Sequence, residues 1–249
     1  MPVWLEAGVW GLVAGGALVV GALVSWLVRV PQHVVAVVMA FGSGVLISAL
    51  AFDLVDEAER TGGLLATAVG FLGGALFYVL ANVALARRGA RHRKRSQDQQ
   101  PSEDEQSGSG TAIAVGALLD GVPESVVLGL TLVGGGGVGV PVLAAIFISN
   151  LPEGLSSAAG MKASGRSARY VFGVWTGIAV ASGLAGLLGC LLLQGAPPET
   201  IAVITAVAAG AILAMVADTM IPEAFDETHL YTGLVATVGF IVAFAIERA

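Results

Sequence analysis

The sequence predicts an all-α integral membrane protein of eight transmembrane helices, an inverted repeat of three-helix units around a central helix pair. Three observations lead there. Of 249 residues, 56% are hydrophobic and 12% charged, where soluble domains carry roughly 25% charged residues, and the mean hydropathy is +0.86. The apolar runs reach about 20 residues without the alternation of a barrel strand, so helices must satisfy the backbone in lipid. Short motifs recur, in pairs, on helices that run in opposite directions. The whole chain, 1–249, reads as a single transmembrane domain.

Apolar runs separated by Gly, Pro or charge place helices at 3–28, 33–58, 63–86, 111–133, 139–161, 169–194, 199–224 and 230–247. The first lacks a signal peptide's basic leader and small-residue cleavage site, and is long enough to remain as a spanning helix. The second ends in acids, Asp53, Asp56 and Glu57. Between the third and fourth lies RRGARHRKRSQDQQPSEDEQSGSG, residues 87–110, basic, then acidic and Ser/Gly-rich, the composition of a disordered linker. The seventh ends with Asp218, Glu223, Asp226 and Glu227, and His229 opens the eighth.

Lys and Arg in short loops favour the cytoplasm. With the first loop inside, Arg29, the six basic residues between Arg87 and Arg95, Lys162, Arg166 and Arg169 are all cytoplasmic, and only Arg60 and Arg248 lie outside. This bias puts both termini outside the cytoplasm and the linker within it. A multi-pass protein of a cell inner (plasma) membrane is expected. Nucleic acid is not indicated as a partner; the lipid bilayer is, and a homodimer is compatible with the chain. The single cysteine, Cys190, lies in the apolar run LLGCLLL, which excludes an intramolecular disulfide. His33, His92 and His229 read as polar surface residues.

The repeats carry the chemistry. DGVPES, residues 120–125 in the fourth helix, aligns with SNLPEG, residues 149–154 in the fifth, Pro123 on Pro152 and Glu124 on Glu153. DLVDEA in the second helix resembles DTMIPEA in the seventh with one residue inserted. An inverted repeat around a central pair is an architecture many secondary transporters use. An ionised carboxylate at the bilayer centre costs several kcal/mol unless paired, hydrated or bound to a cation. Asp120 and Glu124 are four residues apart and share a helix face, as do Ser149 and Glu153, with Asn150 close by. Each proline releases the carbonyl four residues earlier, Leu119 and Ile148. No Lys or Arg falls within the spans, so a bound cation or protons are the expected counter-charge. Asp53 and Glu57 share a face at one mouth; Asp218 and Glu223, five apart, are splayed at the other. Such acids attract cations into and out of a pathway.

These residues resemble the ZIP (Zrt/Irt-like) family of divalent metal transporters. SNLPEG is close to that family's HNxPEG motif, and MIPEA supports the likeness, which covers almost the whole chain outside the linker. The resemblance implies import of zinc or a related ion (iron, manganese, cadmium) into the cytoplasm by an elevator-like shift. It implies a metal site at Asp120, Glu124, Ser149, Asn150 and Glu153, and a pathway lined by Asp53, Glu57, Asp218 and Glu223. The metal is the transported substrate, and no organic cofactor is implied. This chain is a variant: Asp120 and Ser149 stand at histidine positions, Gly121 at the motif Asn, Ser125 at a Gly, and Gly186 in SGLAGLLG where the family has Glu. A single-metal, nearly all-oxygen site is therefore expected, a donor set that also suits manganese.

Two other readings remain: a proton-coupled transporter of another solute and a non-transporting homologue of the same fold. An enzyme is not expected. An intramembrane aspartyl hydrolase needs two aspartates sharing a proton, and the facing motif offers Asn150.

Overall fold

A computed structural model describes residues 1–94, 100–133 and 137–248. Part of the linker, 95–99, and with it Arg95, lies outside the described residues. Among the described residues the chain is helical and without strand: α1 Val3–Leu27, α2 Gln32–Ala49, α3 Asp56–Leu85, α4 Ser109–Leu130, α5 Val140–Ala163, α6 Ala168–Leu193, α7 Pro198–Met215, α8 Ile221–Thr228 and α9 Thr232–Arg248. Six stretches are long and apolar enough to cross a membrane: Val3–Leu27, Gln32–Ala90, Ser109–Leu130, Val140–Ala163, Ala168–Leu193 and Pro198–Arg248.

The two longest stretches are not straight. π-helical turns at Leu50–Val55 and Val216–Met220 link α2 to α3 and α7 to α8. Such turns widen the helix locally and are frequent at functional positions. Each long stretch also breaks partway along its length. Gly63 leaves helical geometry at φ 76, ψ 165, a conformation open to glycine. His229, at φ 44, ψ −115, ends α8 before a short 3-10 turn leads into α9.

Small residues set the packing. α1 lies against α5 and α6, α2 against α9, α3 against α7, and α4 against α6. A Cβ added at Gly44 of α2 would strike the backbone of Ala236 in α9, and one at Gly239 that of Phe41. The other long stretch repeats this contact. A Cβ at Gly210 of α7 would strike Phe71 in α3, and one at Gly74 would strike Val207. Helices in lipid approach closely where glycine removes the side chain, because dispersion rather than hydrophobic burial holds them.

Buried apolar side chains form two main clusters. One joins Met39, Leu46, Leu128, Ile212, Met215 and Met220; the other joins Leu18, Ile113, Met161, Val171, Trp175 and Ile178. α3 turns Leu65, Val69, Leu72, Leu76 and Leu80 outward, an exposed apolar face suited to hydrocarbon rather than water.

Candidate functional site

α4 and α5 continue through Pro123 and Pro152, and both carry their acids inward. Asp120, Glu124, Ser149, Asn150 and Glu153 are all buried, each at most 4% exposed. The sequence expectation that no basic residue meets these acids is overturned. After α3 the chain passes through a π turn, Ala86–Ala90, and Gly89 at φ 97 turns it so that residues 91–94 run back into the bundle.

Arg93 reaches Asp120 with Nε on Oδ2 and Nη2 on Oδ1, both at 3.0 Å. Its Nη1 donates to Asn82 Oδ1 at 2.7 Å, and its Nη2 also donates to the Tyr78 hydroxyl at 2.8 Å. The Tyr78 hydroxyl in turn donates to Asp120 Oδ1 at 2.6 Å. Lys94 pairs with both helices: its Nζ is 2.9 Å from Glu153 Oε2 and 3.4 Å from Asp120 Oδ2. A planar fork on one carboxylate and a point charge shared between two carboxylates use each cation as its geometry favours.

The loop is seated as well as paired. Gln100 Nε2 donates to the carbonyls of Arg93, at 3.0 Å, and Ser157, at 3.2 Å. The Ser156 hydroxyl bonds to the Lys94 carbonyl and lies 3.2 Å from Glu223 Oε1. On α4, Gly116 makes room for the Arg93 side chain, since a Cβ there would come within 2.5 Å of Arg93 Cδ. Thus the composition that reads as a disordered linker includes buried polar side chains, Arg93, Lys94, Gln100 and Ser109.

Glu124 differs from its neighbours. It is 1% exposed, and among the described residues neither carboxylate oxygen has a hydrogen-bond partner. It lies within electrostatic range of Glu153, Lys94 and Asp120. An unpartnered carboxylate in so enclosed a place requires a proton or a cation.

Ser149 and Asn150 point their donors at the backbone. Ser149 donates to the Ile146 carbonyl at 2.9 Å, and Asn150 Nδ2 to the Ala14 carbonyl of α1 at 3.0 Å. Asn150 thus ties α5 to α1, and its amide oxygen takes no part in that bond. Gly154, the last residue of SNLPEG, does related work, for a Cβ there would come within 2.7 Å of Leu18 Cα. Gly186 in α6 lies against α1 and α4, where a Cβ would be 2.9 Å from the Ala7 carbonyl oxygen and 3.3 Å from that of Ser125. Glutamate at that position would have to displace backbone. Among the described residues, no group of three or more His, Cys, Asp and Glu side chains is arranged to hold a metal ion; Lys94 stands between two of the acids.

The four pathway positions divide between two cavities. Asp53 and Glu57 line one of about 960 Å³ together with Asp56, Arg60, Thr131, Glu247 and Arg248. Asp218 and Glu223 line a small one of about 30 Å³ with Arg91, His92, Arg93 and Lys94. The sequence reading splays Asp218 and Glu223, whereas the π turn at Val216–Met220 lets both border the same space.

Outside the membrane-spanning stretches, Glu103 organises the far end of the loop. Its carboxylate accepts the N–H groups of Gly108, at 2.8 Å, and Gly110, at 2.9 Å, and pairs with Arg166 at 2.9 Å. These bonds, the Gly108 N–H first, pull its pKa from 4.5 down to about 2. No protein-family model matches the chain, and no curated protein matches it.

Proposed function

We propose that this chain is a carrier of divalent metal cations, ZIP-like in organisation, that moves zinc or a related ion across the membrane through Asp120, Glu124 and Glu153. The observation that carries the reading is Glu124: a fully buried carboxylate with both oxygens unpartnered, beside two further acids on facing helices. Ser149 and Asn150 offer a hydroxyl and an amide oxygen nearby. The donor set is oxygen throughout, which suits zinc, iron and manganese alike.

The breaks at Gly63 and His229 support eight spans, because each divides a long stretch into two membrane-length helices. The reciprocal contacts of Gly44 with Ala236 and Gly210 with Phe71 support an inverted repeat, in which α2 corresponds to α7 and α3 to α9. The bias of Lys and Arg then assigns the large acidic cavity to the outer side and the basic loop to the cytoplasm. Import would pass from Asp53 and Glu57, through the buried acids, to Asp218 and Glu223.

A second reading has its own observation. The pairs Arg93–Asp120 and Lys94–Glu153 fill the site from within the chain, as a non-transporting homologue of the same fold would. Zinc or manganese uptake into proteoliposomes separates the two: flux lost in Glu124→Gln supports the carrier, and wild-type flux equal to that of protein-free vesicles supports the inert homologue.

A further inference from the structure

We propose that Arg93 and Lys94 are a tethered counter-charge for the empty site, which competes with the divalent cation for Asp120 and Glu153. The inference rests on the carrier reading above and adds the regulation of that site.

Charge is the first argument. One guanidinium and one ammonium bring two positive charges to Asp120 and Glu153, the same charge as one divalent cation. Exchange of loop for metal therefore leaves the charge of the buried region unchanged. Neither carboxylate is left bare in either state, a condition that buried acids impose strongly. Both occupants together would instead place four positive charges against three acids in an enclosed, low-dielectric space, so the two exclude one another.

Seating is the second argument. The loop is held by contacts that have nothing to do with the acids: Gln100 on the Ser157 carbonyl, Ser156 on the Lys94 carbonyl, and the space left by Gly116. Tyr78 and Asn82 on α3 complete a receptor for the guanidinium. Such a place for an arginine is built, and a solvated basic run has no use for one. Because the loop is attached to α3, its local concentration at the site is on the order of millimolar. An occupant of that kind weakens the apparent affinity for cargo by the fraction of molecules in which the site is free.

Arg91, His92, Arg93 and Lys94 border the small cavity together with Asp218 and Glu223, so the competing loop lies beside the acids at that end of the proposed pathway.

The test uses purified full-length protein in detergent with zinc, and separately manganese, as the probe. Arg93→Ala/Lys94→Ala should bind zinc about tenfold more tightly than wild type, as removal of a competitor present in about nine molecules of ten requires. A second measurement leaves the loop intact: hydrogen exchange at residues 91–94 and 100–103 of the wild type should quicken when zinc is added. Gly116→Leu, which fills the Arg93 seat while sparing every charge, should shift both readouts in the same direction. If wild type binds zinc, the variants bind it no more tightly and loop exchange is unchanged, the competition is overturned while the carrier reading stands. If no form of the protein binds or transports a divalent metal, both are overturned.

Discussion

Arg93 holds Asp120 in a two-pronged grip, its Nε and Nη2 each 3.0 Å from a different carboxylate oxygen. Both side chains are only 2% exposed. Breaking such a pair from one side leaves an uncompensated buried charge, at a cost of about 3–5 kcal/mol. Arg93→Ala should therefore lower the thermal unfolding temperature in detergent, and Arg93→Ala/Asp120→Asn should recover most of the loss. Equal destabilisation by the single and double variants would show that the pair is not what Arg93 contributes.

Tyr78 stands between the two partners, donating to Asp120 at 2.6 Å and accepting from Arg93 at 2.8 Å. Tyr78→Phe removes the hydroxyl and leaves the ring, so the expected loss is that of buried hydrogen bonds to charged groups, about 1.5–3 kcal/mol. Tyr170→Phe, on a partly buried tyrosine at the start of α6 whose hydroxyl has no hydrogen-bond partner among the described residues, is the comparison and should be neutral or stabilising.

Gly154 and Gly173 should respond in opposite ways to alanine. A Cβ at Gly154 meets the backbone of Leu18, whereas one at Gly173 meets nothing within 4 Å. Gly154→Ala should cost about 1–3 kcal/mol through overpacking of α1 on α5. Gly173→Ala should be neutral or stabilising by up to about 1 kcal/mol, since alanine is the better helix former. Unfolding of the two variants, followed by circular dichroism, checks the contrast.

The Glu103 cap should give the loop an acid transition. A carboxylate whose folded pKa is depressed contributes stability that is complete above its unfolded value and is lost as pH falls through the folded one. Here the window runs from about 4.5 down to about 2. Proteolysis of the loop should accelerate as pH drops through that window, and Glu103→Gln should be cleaved rapidly even at neutral pH. Wild-type cleavage that does not vary across the window would contradict the cap.

How much of this was legible in the sequence follows from what each residue type signals alone. Asp120, Glu124 and Glu153 stand out because an acid inside an apolar run is an energetic anomaly wherever the helix lies. The breaks at Gly63 and His229 fall close to the expected helix limits at 63 and 230, since Gly and charge punctuate an apolar run. The π turns leave no such trace, because VADTM and LAFDLV read as ordinary helix.

Arg93 and Lys94 were hidden for another reason. Within RHRKR they belong to a basic run whose plain meaning is a solvated loop, and nothing local says that Gly89 turns the chain back into the bundle. Tyr78 and Asn82 are four residues apart on one face of α3, and that spacing was the available signal. Two polar side chains within the apolar second half of α3 require a polar partner. Its identity depends on a contact between segments distant in sequence, beyond the reach of local pattern.

Asp120, Glu124 and Glu153 are proposed to carry a divalent cation across the membrane. Zinc uptake by proteoliposomes containing an internal metal-sensitive dye tests this most directly, with wild type compared against Glu153→Gln and Asp120→Ala at equal amounts of inserted protein. The account predicts saturable wild-type uptake that both variants lose. Equal uptake by all three, or wild-type uptake no greater than that of empty liposomes, would contradict it.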